Sequence, residues 1–316
     1  MLKIAILDDY QEAALRSAPW HNIPDTEVKA FTQYIADENV LLETLEPFDV
    51  IVAMRERTPF PASLLAKLPN LKLLVTTAMR NLAIDMEYAK EKGILVCGTD
   101  MVPHSTYEHT WALILALAKN IPEDNALLHA GGWQANSGIG LKGKTLGVLG
   151  LGRLGKEVAR IGQAFGMNVI AWSQNLNAEQ AADHQVTLVD KNELFRQSDI
   201  LSIHLLLSER TRGIVGAQEL ALMKPEAYLV NTARGPIVNE EALLTALKTK
   251  QIKAAAIDVY EVEPLPVDHP IRKLDNVILT GHTGYVVQEL YELAYGQAIE
   301  NIQAWQQGQA QRVLNG

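Results

Sequence analysis

The chain has 316 residues, 48% hydrophobic and 21% charged, the balance of a folded protein with two domains or one large one. Its net charge of −9, with no local run of Lys and Arg, argues against a nucleic-acid partner, because phosphate binding needs a basic surface. The single cysteine, Cys97, excludes an intrachain disulfide framework; lying in the apolar run 94–97, it reads as a core residue in a reducing cytosol.

Residues 3–7 read as a buried strand rather than the start of a signal peptide. Further strands are predicted at 27–31, 49–54, 71–77 and 94–97, with helical patterns at 61–68 and 84–92. Strands alternating with helices imply βαβ units and a parallel sheet, since parallel strands need a crossover between them. A longer helix follows over 103–120, with Pro103 near its start and Pro122 just past its end. It contains the longest apolar stretch, 111–118, far short of the ~20 residues that a membrane span requires. The protein is therefore expected to be soluble and cytoplasmic.

Residues 131–143, rich in Gly, Asn and Ser, read as a connecting loop. The alternation then restarts with predicted strands at 145–149, 168–172, 199–205, 227–231, 254–259 and 277–280. A final helix over 287–307 comes too late to belong naturally to the second sheet and is expected to pack back on the first domain. The fold expected is α/β with two Rossmann-type parallel sheets. The first domain would be discontinuous, 1–98 plus 287–316, and the second would be 99–286.

Gly150-Leu151-Gly152-Arg153-Leu154-Gly155 follows a strand and opens a helix, the context in which a glycine fingerprint binds a dinucleotide. Gly150 permits the tight turn, Gly152 admits a pyrophosphate to the backbone, and Gly155 lets helix and strand pack closely. The helix N-terminus offers N–H groups and positive partial charge to the phosphates. The next strand ends at Ser173 and Gln174, where an NAD site usually places an acid. Ser173 does not repel a 2′-phosphate and no Arg or Lys follows to attract one, so these residues leave the choice open between NAD, taken as the cofactor, and NADP.

Three successive strand ends then carry complementary chemistry. The first presents Thr232, Ala233 and Arg234, the second Asp258 and Glu263, the third His282 and Gly284. In open α/β sheets those ends face the ligand crevice. His282 suits proton donation to a developing alkoxide, and as a base it serves the reverse reaction. Glu263, read as its neighbour, would favour the charged imidazolium. Arg234 can hold a carboxylate through two parallel hydrogen bonds. A metal is not expected: His282 and Glu263 lack ligand spacing, and paired cysteines are absent. Taken singly, the histidine could be structural and the arginine a surface ion pair; the conjunction at three strand ends favours catalysis.

Gly150 to Gly155, Asn231 to Gly235, Asp258 through Pro264 and His282-Thr283-Gly284 together resemble the D-isomer-specific 2-hydroxyacid dehydrogenase family, of the phosphoglycerate dehydrogenase and glyoxylate/hydroxypyruvate reductase type. The likeness is dense from about residue 94 to 285 and includes the Glu108-His109-Thr110 helix. It implies two flavodoxin-like domains, 1–98 plus 287–316 as the substrate (lid) domain and 99–286 as the dinucleotide domain, with the active site between them, and usually a homodimer. It also implies an oxidoreductase that moves a hydride between NAD(P)(H) and a small 2-hydroxy or 2-keto acid. Arg234 would be the carboxylate arginine, His282 the acid/base and Glu263 its partner. Arg153, Leu154, Ser173, Leu205, Thr232 and Asp258 would line the cofactor, Asp258 near the carboxamide.

One segment departs from the family. Members carry a Gly-x-Gly loop that grips the substrate carboxylate, and here Thr77-Ala78-Met79-Arg80-Asn81 holds no glycine. Arg55 and Arg57 stand at the preceding strand end. Arg55, Ala78, Met79 and Arg80 are therefore candidate substrate contacts, and some of Arg55, Arg57 and Arg80 are expected to select a second anionic group, unless Arg57 and Arg80 are simply solvated. Competing readings are an NAD(H)-sensing corepressor-like protein and a glyoxylate or hydroxypyruvate reductase. The formate-oxidising branch has Gln where Glu263 stands, which argues against it.

Overall fold

The computed structural model describes all residues, 1–316. By compactness the chain divides into two units, Met1–Val102 with Val286–Gly316, and Pro103–Tyr285. Each is built on its own parallel sheet.

The first unit carries five strands, β1 (Leu2–Ile6), β2 (Thr26–Ala30), β3 (Val50–Ala53), β4 (Leu73–Thr76) and β5 (Leu95–Cys97), in the order β2-β1-β3-β4-β5. Every pairing is parallel, Ile4 lying opposite Val28 on one side and Val50 on the other. β3 and β4 are buried at all four positions. Their unbroken apolar runs, Val50-Ile51-Val52-Ala53 and Leu73-Leu74-Val75, follow from helices covering both faces.

The C-terminal helix Gln288–Gln306 belongs to this unit, as its late position implied. Tyr295 meets Trp20 edge-on at 6.1 Å, and the Tyr291 hydroxyl donates to Gln11 Oε1 at 2.7 Å. Asn301 donates to the Gly98 carbonyl at 2.8 Å, and Asn315 bonds both Val96 N–H and the Ile94 carbonyl. The chain's end thus closes the edge of β5. Cys97 is fully buried there, and burial pushes its thiol up to about 11, which makes it a core residue and no nucleophile.

The second unit has seven parallel strands: β6 (Thr145–Leu149), β7 (Asn168–Trp172), β8 (Thr187–Leu188), β9 (Ile200–Ile203), β10 (Tyr228–Asn231), β11 (Ala254–Ile257) and β12 (Val277–Leu279), in the order β12-β11-β10-β9-β6-β7-β8. Side chains alternate between two cores: Leu149, Leu201, Leu229 and Ile257 face one, and Val148, Ile200, Val230 and Ala256 the other. The order reverses between β6 and β9, and it is there that such sheets bind ligands.

Two elements differ from the sequence expectation. The helix His104–Lys119 ends where Asn120 turns left-handed at φ 51°, but Pro122 does not close it off: it lies in the first turn of a second helix, Ile121–His129. A proline in a first turn costs no hydrogen bond, so the same residue can end one helix or begin the next. The two-residue β8 is too short to leave a pattern in the sequence.

Candidate active site

The end of β6 turns through Gly150 (φ 107°) into the helix Arg153–Ala164. A Cβ on Gly150 would lie 2.7 Å from the His204 carbonyl carbon, and one on Gly155 only 2.0 Å from the Gly150 oxygen. Packing therefore requires both glycines. Gly152 is different: a Cβ there would meet no protein atom within 4 Å. Its glycine leaves the N–H groups of the turn open to close approach, which fits a pyrophosphate. Arg153 is exposed and Leu154 half-buried at the helix start, while Leu205 follows β9 against Gly150.

Ser173, at the end of β7, is already committed. Its Oγ accepts the Leu151 N–H at 2.9 Å and so braces the glycine turn. Beside it lies a cavity of about 390 Å³ lined by Trp172, Ser173, Gln174, Leu176, Leu188, Val189 and Asp190. No cation lines it, and Asp190 is its only charged residue.

Two strands from β6 the three chemistry-bearing ends stand side by side, in the order β12-β11-β10. After β10, the Asn231 side chain accepts from Ala233 N–H and donates to the Arg234 carbonyl, both at 3.1 Å, which fixes the turn. Thr232 bonds Thr110 at 2.7 Å, and Arg234 folds one Nη1 onto the Ala233 carbonyl at 2.8 Å. A Cβ on Gly235 would fall 2.0 Å from the Tyr260 carbonyl carbon, so this glycine brings the arginine loop against the loop of Glu263.

Glu263 is held at both oxygens: Oε1 accepts the Tyr260 N–H at 2.9 Å, and Oε2 lies 2.6 Å from His282 Nδ1. An acceptor-only carboxylate makes Nδ1 the donor and leaves Nε2 as the nitrogen that gains and loses a proton. The edge of the His282 ring meets Tyr285 at 5.5 Å. His282 itself is left-handed, φ 54°.

Asp258 is almost fully buried and is occupied by protein. Its carboxylate accepts from Thr280 Oγ1 at 2.5 Å, Thr283 N–H at 2.8 Å and Gly284 N–H at 3.0 Å. Burial opposes its ionisation, but hydrogen bonds from His109, Thr280 and Thr283 outweigh that and hold the carboxyl below its ordinary range. The sequence suggested a cofactor contact and gave no sign of this second task. His109 was equally unmarked beyond its place in a motif.

The substrate candidates of the first unit lie on two segments that are hydrogen-bonded to each other. Arg55 N–H donates to Thr77 Oγ1 at 3.0 Å, and Asn81 donates to the Arg55 carbonyl at 2.6 Å, joining the end of β3 to the 77–81 loop. Ala78 is buried; Met79 and Arg80 are exposed. Arg57 turns elsewhere: Nη1 donates to the Asp8 carbonyl at 2.7 Å and its guanidinium lies 4.3 Å over the Tyr10 ring.

A doubly wound parallel sheet with a glycine-rich turn at its switch point and a histidine–carboxylate pair along the same rim defines a dinucleotide-binding protein equipped for proton transfer. The chain belongs to the D-isomer specific 2-hydroxyacid dehydrogenase family, whose NAD binding domain matches residues 111–284. A D-3-phosphoglycerate dehydrogenase of Methanocaldococcus jannaschii is 39% identical over 320 residues, covering all of this chain and 60% of that protein. This chain thus spans three-fifths of that relative's length. A glyoxylate reductase of Aeropyrum pernix is 41% identical over 255 residues, covering 78% of this chain and 76% of its own. The solved structure of a phosphoglycerate oxidoreductase from Vibrio cholerae superposes with a TM-score of 0.92 at 39% identity, covering 98% of this chain and 100% of its own.

Proposed function

We propose that this chain interconverts a 2-keto acid and its 2-hydroxy acid, with His282 as acid/base, Glu263 as its partner and Arg234 as the holder of the substrate carboxylate. The observation that carries the reading is the 2.6 Å contact of His282 Nδ1 with Glu263, on the rim that also bears the glycine turn. Gly150, Gly152, Arg153, Leu154 and Gly155 would hold NAD, which would supply or accept the hydride. His282 Nε2 gives the proton that the new alkoxide needs, and takes it back in oxidation. Glu263 keeps that nitrogen aimed and compensates the charge on the ring. Arg234, always protonated, pairs with the carboxylate and fixes which face of the carbonyl is presented.

NAD over NADP is supported by the cavity at the end of β7. A 2′-phosphate there would meet Asp190 and no cation, a like-charge encounter of roughly 1 kcal/mol at a wet surface and so about fivefold in affinity. The substrate we infer carries a second anionic group, which exposed Arg80 would meet, in keeping with relatives named for phosphoglycerate. A homodimer is supported by the helix Ile121–His129, which buries none of its nine residues, and by Trp133, 75% exposed beside it.

The test is a panel of 2-keto acids assayed with NADH and NADPH in parallel, together with binding titrations of both nucleotides. Turnover of at least one acid is expected, with NADH bound about fivefold the tighter. Tight nucleotide binding without turnover anywhere on the panel overturns the enzyme in favour of a dinucleotide sensor.

A further inference from the structure

Three consecutive N–H groups at the end of β12 are held by one residue. His282 N–H donates to the Asp258 carbonyl at 2.7 Å, and the next two, of Thr283 and Gly284, donate to its carboxylate. Glycine at 284 eases the grip: a Cβ there would crowd Asp258 Oδ2 at 3.0 Å and come into ordinary contact with His109 Cδ2 at 3.5 Å. The grip also holds His282 left-handed, a conformation that a residue with a Cβ leaves readily unless its neighbours fix it.

Asp258 is braced in turn from a distant helix. His109 Nε2 lies 3.1 Å from Thr280 Oγ1 and 3.4 Å from Asp258 Oδ1. The one hydroxyl proton of Thr280 is spent on Asp258 at 2.5 Å. Thr280 Oγ1 can then only accept from His109, so Nε2 of His109 carries a proton and points it into the Thr280–Asp258 pair.

Resting on the reading of His282 as the acid/base, we propose that His109 is a positioning residue for it. Acting through Thr280 and Asp258, His109 sets the conformation of 282–284 and hence the aim of His282 Nε2. It bonds neither His282 nor Glu263 in the structure, so its effect travels through the loop. A shift of about 1 Å in a catalytic group costs on the order of a hundredfold in rate, so a brace of this kind acts on kcat.

His109→Leu removes the donor, and His109→Gln retains an N–H at a similar reach. In His109→Leu we expect kcat to fall about 10- to 100-fold, with the KM of the keto acid, the Kd of NADH and the Tm close to wild type. Amide hydrogen exchange at 282–284 should quicken while the strands of the sheet keep their protection, and His109→Gln should recover most of both losses. Wild-type kcat and exchange in His109→Leu overturn the proposal. So does a loss confined to NADH Kd or matched by a drop in Tm, or a Gln variant no better than Leu. Activity retained in His282→Ala is a different failure: it removes the acid/base reading itself.

Discussion

Residues of like chemistry differ here by what they already hold. Arg57 is drawn to the end of β1 by the Asp8 carbonyl and the Tyr10 ring, whereas Arg80 stands exposed on the loop that follows β4. Of these two, exposed Arg80 is the one we propose answers to an added anion, and Arg80→Ala tests that. Its kcat/KM should fall roughly tenfold for phosphorylated or dicarboxylate keto acids and change little for pyruvate, the size expected of one charge-assisted bond at an exposed site. An unchanged ranking of substrates contradicts the assignment. Which arginine was committed could not be read from the letters, because Asp8 and Arg57 lie 49 residues apart. The placement of His282, Glu263 and Arg234 at neighbouring strand ends was legible for the opposite reason: each stands in a short motif after an apolar strand, and a parallel sheet brings such ends together. His109 and Thr280 are 171 residues apart, and only the fold joins them.

Among elements, every strand but β8 was plain in the sequence, the central ones because burial on both faces writes them as unbroken apolar runs such as Val50–Ala53. The helix Ile121–His129 was not. With no buried residue it has no apolar stripe to betray it, and Pro122 reads equally well as a stop. Such a helix gains little from packing within its own chain, while Ile121, Leu128 and nearby Trp133 expose large apolar side chains. A second chain covering them, as in the proposed homodimer, would explain why they are tolerated. Sedimentation should therefore give the mass of two chains, and Leu128→Glu with Trp133→Glu should halve it. A wild-type monomer at micromolar concentration contradicts the homodimer.

At the scale of the molecule, one alternation of strand and helix is used twice, and the last helix returns to complete the first unit. The second unit gathers both the nucleotide turn and the proposed acid/base pair on the rim of a single sheet, and cofactor binding and proton transfer are expected to separate by mutation. His282→Ala is the direct measurement. With the best keto acid from the panel, kcat should fall by about 10²- to 10⁴-fold, the usual worth of a general acid, while the Kd of NADH stays within about twofold. A variant that keeps full kcat contradicts the central claim.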